Sequence, residues 1–182
     1  GHATELDWFR EQIVKSFEVK YKERLGTEDG DDKSVRVLNR VVEWSDMGIH
    51  NEADQRHAEI IVHCMGLSGE SRTLSVPEEK RRAGEAEDDD EELNREDSSS
   101  FRRLTARGVY LSQDRGDISY AVKELARRMQ KPHDLAWTQL KRLGRYLKGH
   151  QRLVQHFPQQ AVPDRFQVYG DSNHAGCPSS RK

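Results

Sequence analysis

The stretch DISYAVKELARRM, residues 117–129, repeats large apolar side chains at the spacing of an α-helix. Spacings of three and four residues place such side chains on one helical face. The predicted stripe consists of Ile118, Ala121, Val122, Leu125 and Met129. Asp114 and Asp117 are both candidates for the N-cap, and Pro132 is expected to break the helix. The stretch therefore predicts a helix with one buried face.

A second stretch, WTQLKRLGRYLKG at residues 137–149, has the same periodicity. Its apolar stripe consists of Ala136, Leu140, Leu143 and Leu147. Asp134 is the predicted N-cap and Gly149 the predicted stop, because helices favour a capping carboxylate at the start and glycine at the end. Together the two stretches predict a helix pair at residues 117–148.

The N-terminal part of the chain predicts a small helix–hairpin–helix unit. Residues 5–17 have the apolar spacing of an amphipathic helix. Residues 35–44 are rich in β-branched side chains, which predicts one strand, and residues 45–48 supply turn chemistry for a returning strand. A second helix is expected from Ala53 to a C′ glycine at Gly66. Its predicted apolar face consists of Ala53, His57, Ile60, Ile61 and Cys64.

Charge is distributed unevenly along the 182 residues. Nine acidic residues and one arginine lie between Glu85 and Asp97, whereas residues 101–182 hold 16 basic and six acidic residues. Clustered Lys and Arg favour a polyanionic partner. Residues 68–100 contain few large apolar groups, which predicts a disordered acidic linker or insertion. In another interpretation, the acidic run folds back and neutralises the basic part.

Several functional classes are disfavoured by the composition. No apolar run approaches the roughly 20 residues needed to span a bilayer, so an intracellular protein of the cytoplasm or nucleus, without a membrane partner, is expected. Cys64 and Cys177 stand alone, which argues for a reducing setting and against a cysteine zinc site. No glycine-rich phosphate loop and no nucleophile elbow occur in the sequence.

Two rows of basic side chains on the predicted helix pair are the candidate nucleic-acid-binding residues. The first row consists of Lys123, Arg127 and Lys131, with Arg128 beside it. The second row consists of Lys141, Arg145 and Lys148, preceded by Trp137. Such rows can contact a nucleic-acid backbone without reading its sequence, and the indole could stack on a sugar or base. In the alternative interpretation the rows are a solvated helix face, and the tryptophan is a core or rim residue.

Asp171 is the candidate catalytic and metal-binding residue. Residues 165–171 alternate apolar and polar side chains like a strand, and Asp171 stands at its end before a small polar turn. A carboxylate in that position suits Mg²⁺, which prefers hard oxygen ligands. The alternative is an ordinary turn residue, since a two-metal site requires several converging acids.

Three stretches together resemble copia-type retrotransposon polyproteins. Residues 110–129, which begin YLSQDR, and residues 137–149, which contain RYLKG, are similar to paired segments near the end of the family's reverse transcriptase. Residues 168–182, VYGDSNHAGCPSSRK, are similar to the opening strand of its ribonuclease H domain. Residues 6–20 are similar to the helix after the polymerase's catalytic turn. Gly116 stands where the family usually has proline.

The resemblance implies an α+β fold made of incomplete parts of larger domains. Residues 1–67 would be the end of the reverse-transcriptase palm and the start of its thumb, and residues 68–100 the linker. Residues 101–163 would be a basic helical thumb and connection, and residues 164–182 a truncated ribonuclease H-like strand. Asp171 would then be the first metal-binding carboxylate of the ribonuclease H site.

The resemblance also implies a function for the parent protein, which is Mg²⁺-dependent DNA synthesis on an RNA template with ribonuclease H activity. Because this chain would supply at most one catalytic carboxylate, it is expected to position an RNA–DNA or DNA duplex, to lack activity alone and to bind no metal tightly. The rest of the polyprotein is a further expected partner. The alternatives are a stand-alone helical protein-interaction module and a decayed open reading frame.

Overall fold

The structure is a computed structural model that describes residues 3–67, 69–78, 91–161 and 164–170. The helices are α1 (Ala3–Ser16), α2 (Gln55–Cys64), α3 (Arg95–Leu111), α4 (Ser119–Arg127) and α5 (Asp134–Gly149), with a 3₁₀ turn at Gly116–Ile118 before α4. The strands are β1 (Ser34–Val37), β2 (Arg40–Ser45), β3 (Gly48–Glu52) and β4 (Val154–Pro158). The described chain is therefore a mixed α-helical and antiparallel β protein.

Helices α2 to α5 pack around one hydrophobic core. The predicted stripe of α5 is buried in full, and that of α4 is buried except for Met129, which packs against the core from its edge. The buried hydrophobic residues of the described chain run from Ala53 to Leu147 and come from all four helices and their connections. The periodicity of residues 117–149 thus predicted the helix pair and its inner face correctly.

Helix α3 contradicts part of the predicted linker. It begins at Arg95, inside the 68–100 range, and places Ser98 and Phe101 in the buried layer. Asn94 caps it by accepting a hydrogen bond from the Asp97 amide at 2.9 Å, and acidic side chains in the first turn favour the positive end of the helix dipole. The sequence did not predict the start of α3, because the helix contains three consecutive serines and serine is a weak helix former.

The predicted domain boundaries cross this core. Helix α2, assigned to the 1–67 unit, packs against α3 and α5, which lie mostly in the 101–163 unit. Leu67 touches the same interior as Leu143, so no packing boundary follows residue 67. The assignment of these ranges to palm, thumb and connection stays a prediction.

The face of α2 differs from the predicted one. Of the predicted residues, Ala53 and Ile61 are buried, His57 and Ile60 are half-buried, and Cys64 is exposed. The buried Ala58 and Val62 were not predicted. Asp54 caps the helix start by accepting from the Arg56 amide. The predicted face was displaced because a helix of only ten residues with few large apolar groups defines its inner side weakly.

The four strands form one antiparallel sheet in the order β1-β2-β3-β4. The single strand predicted for residues 35–44 is wrong, because the chain reverses at Leu38 and Asn39, with φ values of 50° and 64°. Two positive φ values in a two-residue connection are typical of a tight hairpin turn. Asparagine is common at positive φ, but leucine is not, so the turn signal in the sequence is weak here. The hairpin turn predicted at residues 45–48 is confirmed.

The strand predicted at residues 165–171 is wrong over its described part. Residues 165–170 contain no strand, and Phe166 is 95% exposed. The fourth strand is instead β4, which pairs with β3 through partners such as Ile49 and Phe157. An alternating apolar and polar pattern cannot show whether residues 154–158 or residues 165–171 pair with β3. Pairing also requires that the segment lie beside a free edge of the sheet. Asp171 lies outside the described residues.

The predicted aspartate caps of α4 and α5 are also wrong. Neither helix start receives a side-chain cap hydrogen bond. Asp114 pairs with Arg40 on the sheet, at 2.5 Å between Oδ2 and Nε, and Asp117 pairs with Arg115. Both carboxylates found charged partners, which bind an anion more strongly than a backbone amide does. The C′ glycine predicted after α2 is confirmed, with Gly66 at a φ of 64°.

Candidate nucleic-acid interface

The residues that carry the family resemblance build a buried polar cluster at the end of α5. The Arg115 side chain is 1% exposed and donates to both carboxylate oxygens of Asp117, at 2.9 and 2.7 Å. Its Nη1 also donates to the carbonyls of His150 and Gln151. Tyr146 donates its hydroxyl to Asp117 at 2.8 Å. The cluster therefore closes the C-terminal end of α5 and fixes the chain that follows it.

The electrostatics of this cluster favour the charged pair. Burial by itself would raise the pKa of Asp117, but the hydrogen bonds from Arg115 and Tyr146 outweigh it and hold that pKa below its ordinary value. Burial and the hydrogen bond to Asp117 raise the pKa of Tyr146. With its five donors largely occupied, Arg115 is a structural residue here and is not available to a ligand.

The first predicted basic row is partly neutralised by acids. Lys123 and Arg127 share the carboxylate of Glu124, with Nζ and Nη1 at 4.0 and 3.4 Å from Oε1. Both remain largely open to solvent, and the Lys123 side chain is 65% exposed. Arg128 donates to the Gln139 side chain at 2.5 Å, which ties α4 to α5. Such exposed pairs are weak, so Lys123 and Arg127 can exchange Glu124 for another anion.

Lys131 does not continue that row. Helix α4 ends at Arg127, so the helical spacing that predicted the alignment no longer applies at residue 131. Lys131 instead forms an ion pair with Glu92, at 2.6 Å between Nζ and Oε1, and its side chain is 78% exposed. The pair supports the idea that the acidic run folds back, for the acids that the structure describes.

The second predicted row is divided between open and covered residues. Lys141 is exposed, and within the described part of the chain it has no hydrogen bond or ion pair. Lys148 is half-buried and donates to the carbonyls of Gly69 and Ser71, at 3.0 and 2.7 Å. Arg145 is half-buried beside the same segment, and its carbonyl accepts from the Leu74 amide at 3.4 Å. The row is therefore not one continuous open face.

Trp137 packs against the edge of the hydrophobic core and is half-buried. A fully exposed platform would be needed for the indole to stack on a base along its whole face. The structure favours the interpretation of Trp137 as a rim residue.

Arg102 is a basic residue with a defined role that the sequence did not reveal. Its guanidinium donates to the carbonyls of Met129 and Gln130, at 2.7 and 3.1 Å. These carbonyls follow the C-terminal end of α4, where unpaired backbone oxygens need donors. Only the existence of α3 places Arg102 there, and that helix began within the predicted linker.

A polar cleft of about 440 Å³ lies between the sheet and the start of α2. Its charged lining consists of Arg36, Glu52, Asp54, Arg56 and Arg152. Arg152 forms a two-fold hydrogen bond with Glu52 at 2.8 Å, and Arg56 pairs with Asp54. The hydrogen bond from Arg152 lowers the pKa of Glu52 against the opposing effect of burial. Both acids of the cleft are thus paired with an arginine, and Arg36 adds one further positive charge.

No group of three or more His, Cys, Asp and Glu side chains within the described residues could hold a metal ion. The rings of His50 and His156 stack across β3 and β4 at 4.6 Å between centroids. Asp171, the predicted Mg²⁺ ligand, is outside the described residues, so the predicted metal site stays a prediction.

Among known proteins, the chain is similar to a plant mitochondrial protein. The chain is 37% identical over 89 residues to the "Uncharacterized mitochondrial protein AtMg00810" of Arabidopsis thaliana. The match covers 47% of this chain and 35% of the plant protein, so the chain spans about a third of the length of the relative it matches. No known family profile matches the sequence, and no solved structure matches it.

Within the described residues, no helix is long and apolar enough to cross a bilayer.

Proposed function

We propose that this chain is a fragment of a retroelement polyprotein whose helices α4 and α5 contact the phosphate backbone of a nucleic-acid duplex. One observation carries the proposal: residues 101–161 hold 13 basic residues against four acidic ones on a packed helical frame. Four acids cannot neutralise that surplus, and a rigid frame that presents cations favours a polyanion.

The resemblance of residues 110–129 and 137–149 to the end of copia-type reverse transcriptases supports a duplex as that polyanion. The identity shared with the plant mitochondrial protein is consistent with a common origin of the two sequences. Contacts to phosphates fix register and orientation but carry no base sequence. The fragment would therefore bind RNA–DNA and DNA duplexes without strong sequence preference.

In the parent protein, Asp171 would contribute one Mg²⁺ ligand of the ribonuclease H site. Polymerase and ribonuclease H chemistry both need several carboxylates around two metal ions. Those further acids would come from other parts of the polyprotein. The expected result for the isolated chain is duplex binding without primer extension.

Salt titration of duplex binding tests the proposal. The purified chain should bind an RNA–DNA hybrid, with log affinity falling against log salt at a slope of about −4 to −6, which corresponds to roughly five or more phosphate contacts. Lys141→Gln should reduce the magnitude of that slope by about 1. Lys15→Gln, which removes an exposed lysine from α1, is the matched control and should leave it unchanged.

Two outcomes would contradict the proposal. One is an absence of binding at low salt, and the other is an equal loss from Lys141→Gln and Lys15→Gln, which would show that net charge alone governs the affinity. Detectable primer extension by the pure chain would contradict the expected lack of activity.

A second candidate function, a stand-alone protein-interaction module, is favoured by α1. None of its residues is buried, and Trp8, Phe9 and Val14 are exposed. Exposed aromatic side chains on an amphipathic helix are typical of a surface that docks a protein partner. The source transcript discriminates the two candidates. An in-frame upstream extension into a Tyr-x-Asp-Asp turn would support the fragment, and a start codon directly before this sequence would support the module.

A further inference from the structure

Residues 69–78, which we call the strap, lie along the basic side of α5. At the C-terminal end of the helix, Lys148 donates to the carbonyls of Gly69 and Ser71 at 3.0 and 2.7 Å. One turn earlier the Arg145 carbonyl accepts from the Leu74 amide at 3.4 Å. Thr73 sits between these contacts, against Gly149. The strap thus holds the side chain of Lys148 and the backbone of Arg145, two residues of the predicted second row.

The strap continues onto the junction of α4 and α5. Pro77 and Glu78 line a small cavity there with Ala121, Gln139 and Arg142. The Glu78 Oε2 atom is buried and accepts no hydrogen bond from the described residues. Burial raises the pKa of this carboxyl. When ionised, Glu78 therefore places a negative charge beside the basic residues of α4 and α5, and its burial makes the charged form less favourable than it is in water.

A second described segment flanks the same helices at the other end. Glu92 pairs with Lys131, the Leu93 amide donates to the Pro132 carbonyl at 3.0 Å, and the Asp134 amide donates to the Glu91 carbonyl at 3.1 Å. Both described flanks of the acidic run are therefore attached to the α4–α5 unit, and each contacts a lysine that the sequence assigns to nucleic-acid binding.

We propose that the strap is an intramolecular competitor, which occupies the Lys148 side chain until a nucleic-acid backbone displaces it. This inference rests on the proposed function of the α4–α5 unit and adds its regulation. Lys148 cannot donate to the strap carbonyls and to a phosphate through the same protons. A phosphate is the stronger acceptor because it is charged, whereas the strap has the advantage of being held next to its site by the chain.

The contacts of the strap suit reversible displacement. They consist mainly of hydrogen bonds from a flexible lysine and from one backbone amide, and Val76 between them is exposed. Leu140 and Leu147 of α5 belong to the hydrophobic core that the helices share. A protein that binds its ligand only with the strap displaced has an affinity reduced by the fraction of molecules in that state.

A reversible cross-link tests the proposal within one protein. A Cβ atom placed on Gly149 would lie 3.1 Å from the Thr73 Cβ, a few tenths of an ångström below the range of about 3.5–4.5 Å found in disulfides. Thr73→Cys with Gly149→Cys, in a background with Cys64→Ser and Cys177→Ser, should therefore lock the strap when oxidised and free it when reduced. Both forms have the same charge and composition.

The measurement is the affinity of each form for a short RNA–DNA hybrid duplex, titrated across salt. We expect the oxidised form to bind about tenfold or more weakly than the reduced form. Its salt slope should also be smaller in magnitude, by about 1, because Lys148 no longer reaches a phosphate. Circular dichroism of both forms verifies that the helices are intact.

A release variant gives the opposite change. Leu74→Pro removes the amide hydrogen donated to Arg145, so it should loosen the strap and bind the duplex more tightly than wild type. Val76→Pro is the matched control, since Val76 is exposed and makes no hydrogen bond in the described part of the chain, and it should bind as wild type does.

The outcomes separate the two proposals. Equal, tight binding by the oxidised and reduced forms would overturn the strap inference and leave duplex binding intact. No binding by any form at low salt, including Leu74→Pro, would overturn duplex binding and the strap inference with it.

Discussion

The helical part of the chain, residues 53–149, and the four-stranded sheet differ in how far their side chains are removed from water. All the buried hydrophobic residues of the described chain belong to the helical part, whereas the only buried residue in the sheet strands is Gly48. Because burial of apolar surface is the main favourable term in folding, the helical part holds most of the stability. The sheet depends on its backbone hydrogen bonds and on a few ties to the helices.

Those ties are polar and specific. Arg40 at the start of β2 pairs with Asp114 after α3 and lies over the Tyr110 ring at 5.4 Å. Arg152, between α5 and β4, pairs with Glu52 at the end of β3. A small sheet without buried hydrophobic side chains is marginal by itself, so loss of a tie should affect the sheet before the helices. This difference gives three mutational predictions and one dependence on pH. The substitutions address the helical part, both regions compared, and a tie between them.

The largest effect is expected from Asp117→Ala in the helical part. The change leaves the Arg115 guanidinium buried without its carboxylate, which should cost about 3–5 kcal/mol of the free energy of unfolding. Urea denaturation followed by circular dichroism measures the loss. Asp164→Ala, which removes an exposed carboxylate, is the control and should unfold as wild type does. A wild-type midpoint for Asp117→Ala would show that the cluster does not hold α5.

The same residue predicts a dependence on pH. The folded-state pKa of Asp117 lies below its ordinary value of 3.8, so the contribution of Asp117 to stability is fully present above the unfolded pKa. It is lost as the pH falls through the folded pKa. The stability difference between wild type and Asp117→Asn should therefore be constant near neutral pH and shrink below about pH 4. A stability difference that grows as the pH falls would mean that folding raises the pKa of Asp117 instead of lowering it.

The second prediction compares one deletion in each region. Leu143→Ala opens a cavity in the helical core and should cost about 2–5 kcal/mol of the free energy of unfolding. Phe157→Ala removes a larger side chain, but one that is 54% exposed on the sheet, and should cost about 1 kcal/mol or less. Thermal or urea unfolding of both variants gives the comparison. Equal losses would mean that the sheet has an apolar cover that the described residues do not include.

The smallest effect is expected from Asp114→Ala, which breaks the tie between the two regions. Both partners are partly exposed, so the loss should be about 1 kcal/mol. Amide hydrogen exchange locates it: protection should fall in β1 and β2 and stay unchanged in α4 and α5. A uniform fall would show that the sheet and helices unfold as one unit.

Residues 117–149 were predictable because apolar periodicity over a long stretch is decided locally. The hairpin at Leu38 and Asn39, the start of α3 and the pairing of β4 were not, since each depends on a partner distant in sequence. The sequence identified the residues of the basic rows, but it could not predict which of these side chains are free of intramolecular partners and open to a ligand. Glu124 is local to its partners, whereas Glu92 and the strap reach Lys131 and Lys148 across 39 and 77 or more residues.

The sequence by itself determined the two helices with their inner faces, the basic surplus of the C-terminal half and the resemblance to a retroelement polyprotein. The tertiary structure decided which charged residues face water and which serve the fold. Arg115, Asp117 and Tyr146 belong to one buried cluster although 29 residues separate Asp117 from Tyr146. The reason is physical: the spacing of side chains along a helix is fixed by its local geometry, whereas the partner of a charge is fixed by which segments the core brings together.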